Sequence, residues 1–553
     1  MKRFINITVV AACLVLASSC ANKLDITPQN AIYEEQVIEL IKKGDATAIK
    51  TIQSMLSPMP KYLNFWGING MAASNPSVYS YQGLDWMRSL MGDDIVLGSN
   101  LSGVNPLLLN YYQQDVTYRI AANASNSCHW FGYSLGINDA NKLLLYSSYL
   151  DPKISEEAKN TLYKCDAYAR VIRAFSYMQL MEEYTPAYGK MKDVNAANSG
   201  LSIYKDYNPV RIAEARSTAK QTWDFIKEDL NEAYNDLVQI GVSVTTDYGT
   251  GELEDIDLSV VNFLKARAGL LTEDWTYCSN ACKEIIEGGK YSLIANDNWG
   301  GKLENKGMDG EYSKLYVASN TNAFLALSKN PECILGYKKT SAYGGSTNNY
   351  FFKLANVFGG YSINTNDGGS MARINTELYN KIEDGDCRKA AFLSPSESYK
   401  YKFYDGSAGV ILPSANLKFA ATVGLSDDGQ SATDEADKCE IMEFCKFRLS
   451  EVYLMMAEAT QDVKYLNAIR SARGASELGA YTKDALELEW SIEMWGEGGR
   501  EYYNCKRWGK NITRSQSSNH WSYAGYTVEN MTIPFPIREQ EDNKNWAADS
   551  VNL

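Results

Sequence analysis

The sequence predicts a mainly α fold, a tetratricopeptide-like scaffold of helix pairs with a loop-rich α/β insertion. Three observations predict it. Apolar residues recur at steps of three and four in stretches that come two by two. Small residues (Ala266, Ala268, Ala457, Ala459) stand where paired helices would cross. Between about 295 and 445 that spacing gives way to glycine, asparagine, serine and tyrosine.

The chain opens Met1-Lys2-Arg3, continues through a short apolar run and reaches Ala17-Ser18-Ser19-Cys20. A positive start, an apolar core and small residues before a cut mark residues 1–19 as an export signal. The closing cysteine resembles a bacterial lipobox, so Cys20 is the expected lipidation site, anchoring the chain without a span. No later stretch approaches the ~18–20 apolar residues that cross a bilayer. Residues 20–553 are expected to form one domain. Its helical scaffold covers about 27–60, 127–290 and 446–510, and its loop-rich regions cover about 61–126 and 295–445.

A long helix is expected from about Ala158 to Glu183, stopping before Pro186. Ser217 is the expected N-cap of the next, whose stripe runs Ala219, Trp223, Ile226, Leu230, Ala233 and Leu237. Val260 to Leu271 then pairs with a helix burying Trp275, Cys278, Cys282 and Ile285, closed by Gly288-Gly289. A later pair is expected over Phe447–Ala459 and Val463–Arg473. Inside the insertion, Cys333-Ile334-Leu335-Gly336-Tyr337 reads as a short strand. The stretches Tyr343 to Tyr350 and Phe358 to Tyr361 read as loops, and Ser57–Asn126 has the same texture. Long loops on a rigid scaffold commonly carry function.

A net charge of −13 argues against nucleic acid and against anionic head groups, both of which demand basic surface. Of the eleven cysteines, Cys13 leaves with the signal and Cys20 carries lipid. The rest are odd in number, and several sit in helical apolar patterns (Cys165, Cys278, Cys282), so buried free thiols are expected rather than disulfides. There is no CxxC, and His129 and His520 are the only histidines, which argues against a Cys/His zinc site. Thirty-eight tyrosines and eleven tryptophans exceed what a core requires. Many stand in polar loops, where rings face ligands or partners.

From Phe447 the chain resembles a known family. Arg448-Leu449-Ser450-Glu451-Val452-Tyr453-Leu454-Met455-Met456-Ala457-Glu458-Ala459 is similar to a signature helix of the SusD/RagB family, nutrient-binding outer-membrane lipoproteins of Bacteroidetes. Tyr465 to Gly474 resembles that family's LN-x-x-R-x-R-A block. Glu493-Met494-Trp495-Gly496-Glu497-Gly498-Gly499-Arg500, continuing to Lys506-Arg507-Trp508-Gly509, resembles its E-L-x-x-E-G-x-R…R-W-G block. Ile533 to Glu539 looks like the closing I-P-x-x-E. Arg170 to Tyr177, Ala266 to Leu271 with Tyr291-Ser292-Leu293, and Glu377 to Arg388 agree in order. Asn504 stands where an aspartate is usual, and Trp490-Ser491 replace arginines. Glu493, Glu497, Arg500 and Arg507 are spaced to pair along and between helices, a structural rather than catalytic reading.

Nucleophile elbow, Walker A, HExxH and dinucleotide motifs are absent. Asp93-Asp94 reads as a turn or cap rather than a glycosidase pair, whose carboxyls stand ~5–9.5 Å apart. Asp427 to Asp437 lacks EF-hand spacing and reads as a solvated acidic loop, so no metal or cofactor is expected. What remains is a binding surface of rings and hydrogen-bonding side chains. Its candidate residues are Tyr79, Tyr81, Asp85 and Trp86, joined by Tyr343, Asn349 and Tyr350, with Arg373 and Tyr404 as further members. The resemblance implies a non-catalytic surface lipoprotein that hands its nutrient to a SusC-like TonB-dependent transporter, over which it sits as a hinged lid. The loop aromatics favour an oligosaccharide over the oligopeptide of a RagB-like protein. A lipid-anchored glycoside hydrolase and a helical scaffold without a small ligand are the readings from other classes.

Overall fold

The computed structural model describes residues 34–44, 46–63, 88–97, 124–208, 213–241, 255–318, 322–324, 327–338, 372–402, 408–419, 443–514 and 526–546. Two short N-terminal helices, α1 (Glu34–Lys42) and α2 (Ala46–Leu56), precede α3 (Ala124–Ser147) and the long α4 (Glu156–Tyr184). Helix α4 is the axis of the scaffold, in contact with α2, α3 and the two helices that follow it. Ser155 caps its start by accepting the Ala158 N–H at 3.0 Å, and it ends at Thr185, one residue before Pro186. Every residue from Val171 to Tyr184 is buried, because neighbours cover this stretch all round.

Helix α5 (Ala219–Gln239) buries the expected stripe of Trp223, Ile226, Leu230, Ala233 and Leu237. Full burial of each large aliphatic here is worth about 1.5–3 kcal/mol. Its N-cap is Thr218, one residue beyond the expected Ser217. The Ser217 backbone instead exchanges hydrogen bonds with Gly200 and Leu201, while Thr218 and Gln221 close a capping box. Helices α6 (Leu258–Leu271) and α7 (Trp275–Glu287) form the next pair. They approach so closely at Gly269 that a Cβ there would lie 2.5 Å from the Cys278 backbone nitrogen. Cys278, Cys282 and Ile285 face inward as expected and α7 ends at Gly288, but Trp275, expected on the same buried face, is exposed: it is the first residue of the helix, beyond the reach of the packing on α6.

The insertion holds more strand than its texture suggests. Strand β1 (Ile95–Leu97) comes before α3 in the chain; β2 (Lys302–Asp309), β3 (Tyr312–Ala318) and β4 (Cys333–Lys338) follow α7. Next come β5 (Ala372–Ile374), α8 (Thr376–Lys381), β6 (Tyr399–Lys402), β7 (Ala408–Ile411) and β8 (Glu443–Arg448). One sheet has the order β2-β3-β6-β7; β1 pairs with β5 and β4 with β8, both antiparallel. The strand expected at Cys333–Tyr337 is β4.

The expected helix from Phe447 starts two residues later. Phe447 and Arg448 finish β8, where the Phe447 ring stacks on Phe263 of α6 at 4.2 Å and sheet pairing overrides helical spacing. Helices α9 (Leu449–Thr460), α10 (Val463–Ala472), α11 (Lys483–Glu493), α12 (Arg500–Trp508) and α13 (Ile537–Asp542) complete the described fold. Helix α9 packs on α7 as well as on α10. The described cysteines (Cys165, Cys278, Cys282, Cys333, Cys387, Cys445 and Cys505) are all free thiols. Among the described residues no helix is long and apolar enough to cross a membrane.

Candidate ligand-binding face

The two loop-rich regions are rooted side by side on the scaffold. Arg88, where the described chain resumes after the first aromatic stretch, is fully buried. Its guanidinium grips both oxygens of Glu183 near the end of α4, one at 3.0 Å, and Tyr503 donates to the same carboxylate. Seven residues on, β1 pairs with β5 in the register Ile95↔Ile374, Val96↔Arg373 and Leu97↔Ala372. The chain beyond Leu97 and the chain before Ala372 therefore attach at paired residues. Both strands lie within the two regions expected to meet a ligand, about 61–126 and 295–445.

Arg373 is the only candidate ligand residue among the described ones. It is partly buried on β5 opposite Val96, bridges to Ala415, and its Nη1 approaches the Pro413 carbonyl at 3.5 Å. Tyr79, Tyr81, Asp85, Trp86, Tyr343, Asn349, Tyr350 and Tyr404 lie outside the described residues, as do Cys20 and the acidic run Asp427 to Asp437. Two open grooves on the helical side, of about 640 and 650 Å³, contain none of the candidates. The second is lined by the rings of Phe225, Tyr204 and Tyr207 among others.

Linked to the foot of β1 is a buried charge network that sequence spacing did not reveal. Glu493 and Glu497 were expected to pair with Arg500 and Arg507; tertiary partners take them instead. Glu493 accepts from Arg388 at 2.9 Å, Arg448 at 2.7 Å and Arg473 at 2.8 Å. Glu497 binds Arg448 at 2.7 Å and Lys418 at 2.5 Å. Arg473 and Arg448 also share Glu332, at 2.6 and 2.8 Å. Arg388 further binds Asp386 and Glu489. Arg500 goes to Glu451 at 2.9 Å, and Arg507 to Glu458 at 2.6 Å. The helix-to-helix pairing fails because α11 and α12 are separated by the Gly496–Gly499 turn, whose glycines at 496, 498 and 499 take positive φ.

Burial alone would raise the Glu493 carboxyl, but Arg473, Arg448 and Arg388 outweigh it and hold it well below the ordinary range. Burial likewise pulls the Lys418 ammonium down to about 8 against the attraction of Glu497. Lys418 Nζ also donates to the carbonyls of Glu493 and Trp495, and it faces the rings of Trp299 and Phe324, each at 4.8 Å. A carboxylate locked among three arginines is poorly placed for proton transfer near neutrality, so the block serves architecture. From this network Trp495 reaches up, donating Nε1 to the Asp94 carbonyl at 2.9 Å at the foot of β1. Glu332, Lys418 and Glu489 are the members the sequence gave no reason to single out, since none of them stands in a recognisable block.

The fold and the network define a mainly helical scaffold with small sheets, one of which joins β1 to the distant β5. Residues 418–552 match a family model described as the SusD family, and this segment contains most of the network. Over about 90% of its length the chain has the SusD-like fold. A SusD-like carbohydrate binding protein from Bacteroides vulgatus superposes with a TM-score of 0.64 at 19% identity, over 90% of this chain and 97% of that one. Surface glycan-binding protein A from Bacteroides fluxus gives 0.61 at 19% identity, with the same two coverages. The protein of that description from Bacteroides thetaiotaomicron gives 0.59 at 16%, again over 90% and 97%. No curated protein matches the chain.

Proposed function

We propose that this chain is a non-catalytic, cell-surface lipoprotein, anchored through Cys20, that binds an oligosaccharide nutrient and delivers it to a SusC-like TonB-dependent transporter of the outer membrane. The observation that carries the reading is the pairing of β1 with β5, which roots the two aromatic-rich regions together on a SusD-like scaffold. Proteins of this fold from two Bacteroides species are described as surface glycan-binding proteins. Sugar rings offer apolar faces with hydroxyl edges, and tyrosine and tryptophan rings flanked by Asn and Asp suit both.

Calorimetric titration of the chain from Ala21 against plant, host and microbial glycans, and against a tryptic peptide mixture, tests this. One glycan should give heat, and Trp86→Ala should weaken it by about tenfold or more, the loss of one stacked ring. Heat from peptides alone would overturn the glycan assignment in favour of oligopeptide capture.

A further inference from the structure

Strands β4 and β8 bracket most of the second loop-rich region, and each carries a cysteine. Their pairing sets Gly336 opposite Cys445, and the register slips on either side of Leu335. Such irregularities re-aim side chains, and this one turns Cys333 back toward the glycine of its own strand. A Cβ built on Gly336 would lie 2.9 Å from the Cys333 sulfur and 2.6 Å from the Leu327 side chain. The Cys333 sulfur therefore occupies the space that a side chain at 336 would fill. Directly opposed residues of an antiparallel pair point to the same face, with Cβ atoms about 4.5–5.5 Å apart. Cys445 thus projects beside the place that the Cys333 sulfur fills, and the two thiols share one space across the strands.

Both cysteines are free thiols in this structure, Cys333 buried and Cys445 partly so. Cys445 Sγ donates to the Phe447 carbonyl at 3.2 Å. Burial, with the Cys333 thiol beside it, pushes the Cys445 thiol well above its ordinary value. Cys278 and Cys282 are also neighbours, one turn apart on α7. Their Cβ vectors run parallel along a single helix rather than toward each other, which disfavours a bond between them. Between β4 and β8 the two cysteines come from facing strands, the arrangement a disulfide can bridge.

We propose that Cys333 and Cys445 are the site of a cross-strand disulfide that forms as the chain is exported and staples the second loop-rich region at its base. This rests on the export included in the function proposed above, and not on the ligand. One thiolate attacks the disulfide of a thiol–disulfide oxidoreductase or of oxidised glutathione and expels one of its sulfurs as a thiol. The second cysteine then displaces the other from the mixed disulfide. The cysteines give up two electrons and two protons, and the oxidant leaves as two thiols. A thiol held in its protonated form reacts slowly, so the bond closes during folding, before the strands bury the sulfurs. It encloses residues 334–444, among them Tyr343, Asn349, Tyr350, Arg373 and Tyr404. Its stabilising effect comes chiefly from restricting that long stretch in the unfolded chain.

The test uses the chain from Ala21, refolded in mixed reduced and oxidised glutathione, and the full chain recovered from the envelope of a Bacteroides host with thiols blocked at lysis. Tryptic mapping without reductant should join peptide 330–338, which holds Cys333, to peptide 439–446, which holds Cys445, in both preparations. The second peptide also contains Cys439, so variants decide the partner. The link should vanish in Cys333→Ser and in Cys445→Ser, and persist in Cys439→Ser. Reduction should lower the thermal midpoint of the wild type by several degrees and leave those of Cys333→Ser and Cys445→Ser unmoved. Free thiols at both positions after refolding, or a link that survives Cys445→Ser, overturns the proposal. So does a cellular chain that has lost residues 1–19 and keeps both thiols. A link in the refolded chain, with the cellular chain retaining residues 1–19 and both thiols, supports the pairing and sinks the export reading instead.

Discussion

Helices α4 to α7 and the network around Glu493 solve the same packing problem with opposite materials. The helix pairs close on apolar stripes and a single missing side chain: Leu230 and Ile226 are fully buried, and Gly269 lets α7 approach. The C-terminal network instead buries Arg388, Arg448 and Arg473 with almost no exposure and satisfies them with carboxylates from several elements. Apolar packing is tolerant in direction but intolerant of volume. A buried charge network is intolerant of losing any one partner, because the remaining charge is stranded out of water. The helix pairs thus hold shape locally, whereas the network ties β8, α9, α10 and α11 to Glu332 and Asp386 in the insertion.

The sharpest way to break this contrast is Glu493→Gln. It keeps volume while leaving three arginines short of one anion, and should cost about 3–5 kcal/mol, read as a fall in the urea midpoint. A loss no larger than that of an exposed ion pair would mean the network is not holding the insertion. The Glu493 carboxyl is held well below 4.5, so its contribution is present above that value and drains away as the pH falls further.

A smaller effect is expected on the apolar side from Gly269→Ala. In an open helix this change would stabilise by about 1 kcal/mol. Here the added methyl would meet the Cys278 backbone at 2.5 Å, and the pair should lose about 1–3 kcal/mol. Stabilisation would show that α6 and α7 can slide apart freely. The smallest expected effect is at a helix end. Thr218→Ala removes the oxygen that accepts the Gln221 N–H at 3.1 Å and should lower stability by about 1 kcal/mol with the fold intact by circular dichroism.

Legibility followed the range of the interactions. The stripe from Ala219 to Leu237 was readable because its partners recur every three or four residues along one helix. The start at Thr218 was off by one residue, since the competing hold on Ser217 comes from Gly200 and Leu201, well upstream. Helix α3 was covered only by the broad expectation of a helical scaffold from about 127, although its buried Tyr133, Ile137, Ala140, Leu143 and Tyr146 recur at steps of three and four. The C-terminal blocks were legible as structure, but the partners of Glu493 and Glu497 were not, because spacing shows neighbours on one helix and says nothing about residues a hundred positions away. Among the candidate ligand residues, Arg373 alone falls where its placement is described, at the joint of the two regions.

By itself the sequence determined the helical character of the scaffold, the paired arrangement of α5 to α7 and of α9 with α10, and the inward-facing thiols. Those follow from periodicity, which is written locally. Only the tertiary structure decided that β1 pairs with β5, that three arginines converge on Glu493, and that Trp495 reaches the Asp94 carbonyl. Each joins groups far apart in the chain, and such contacts depend on the geometry of the whole fold, which no local pattern encodes.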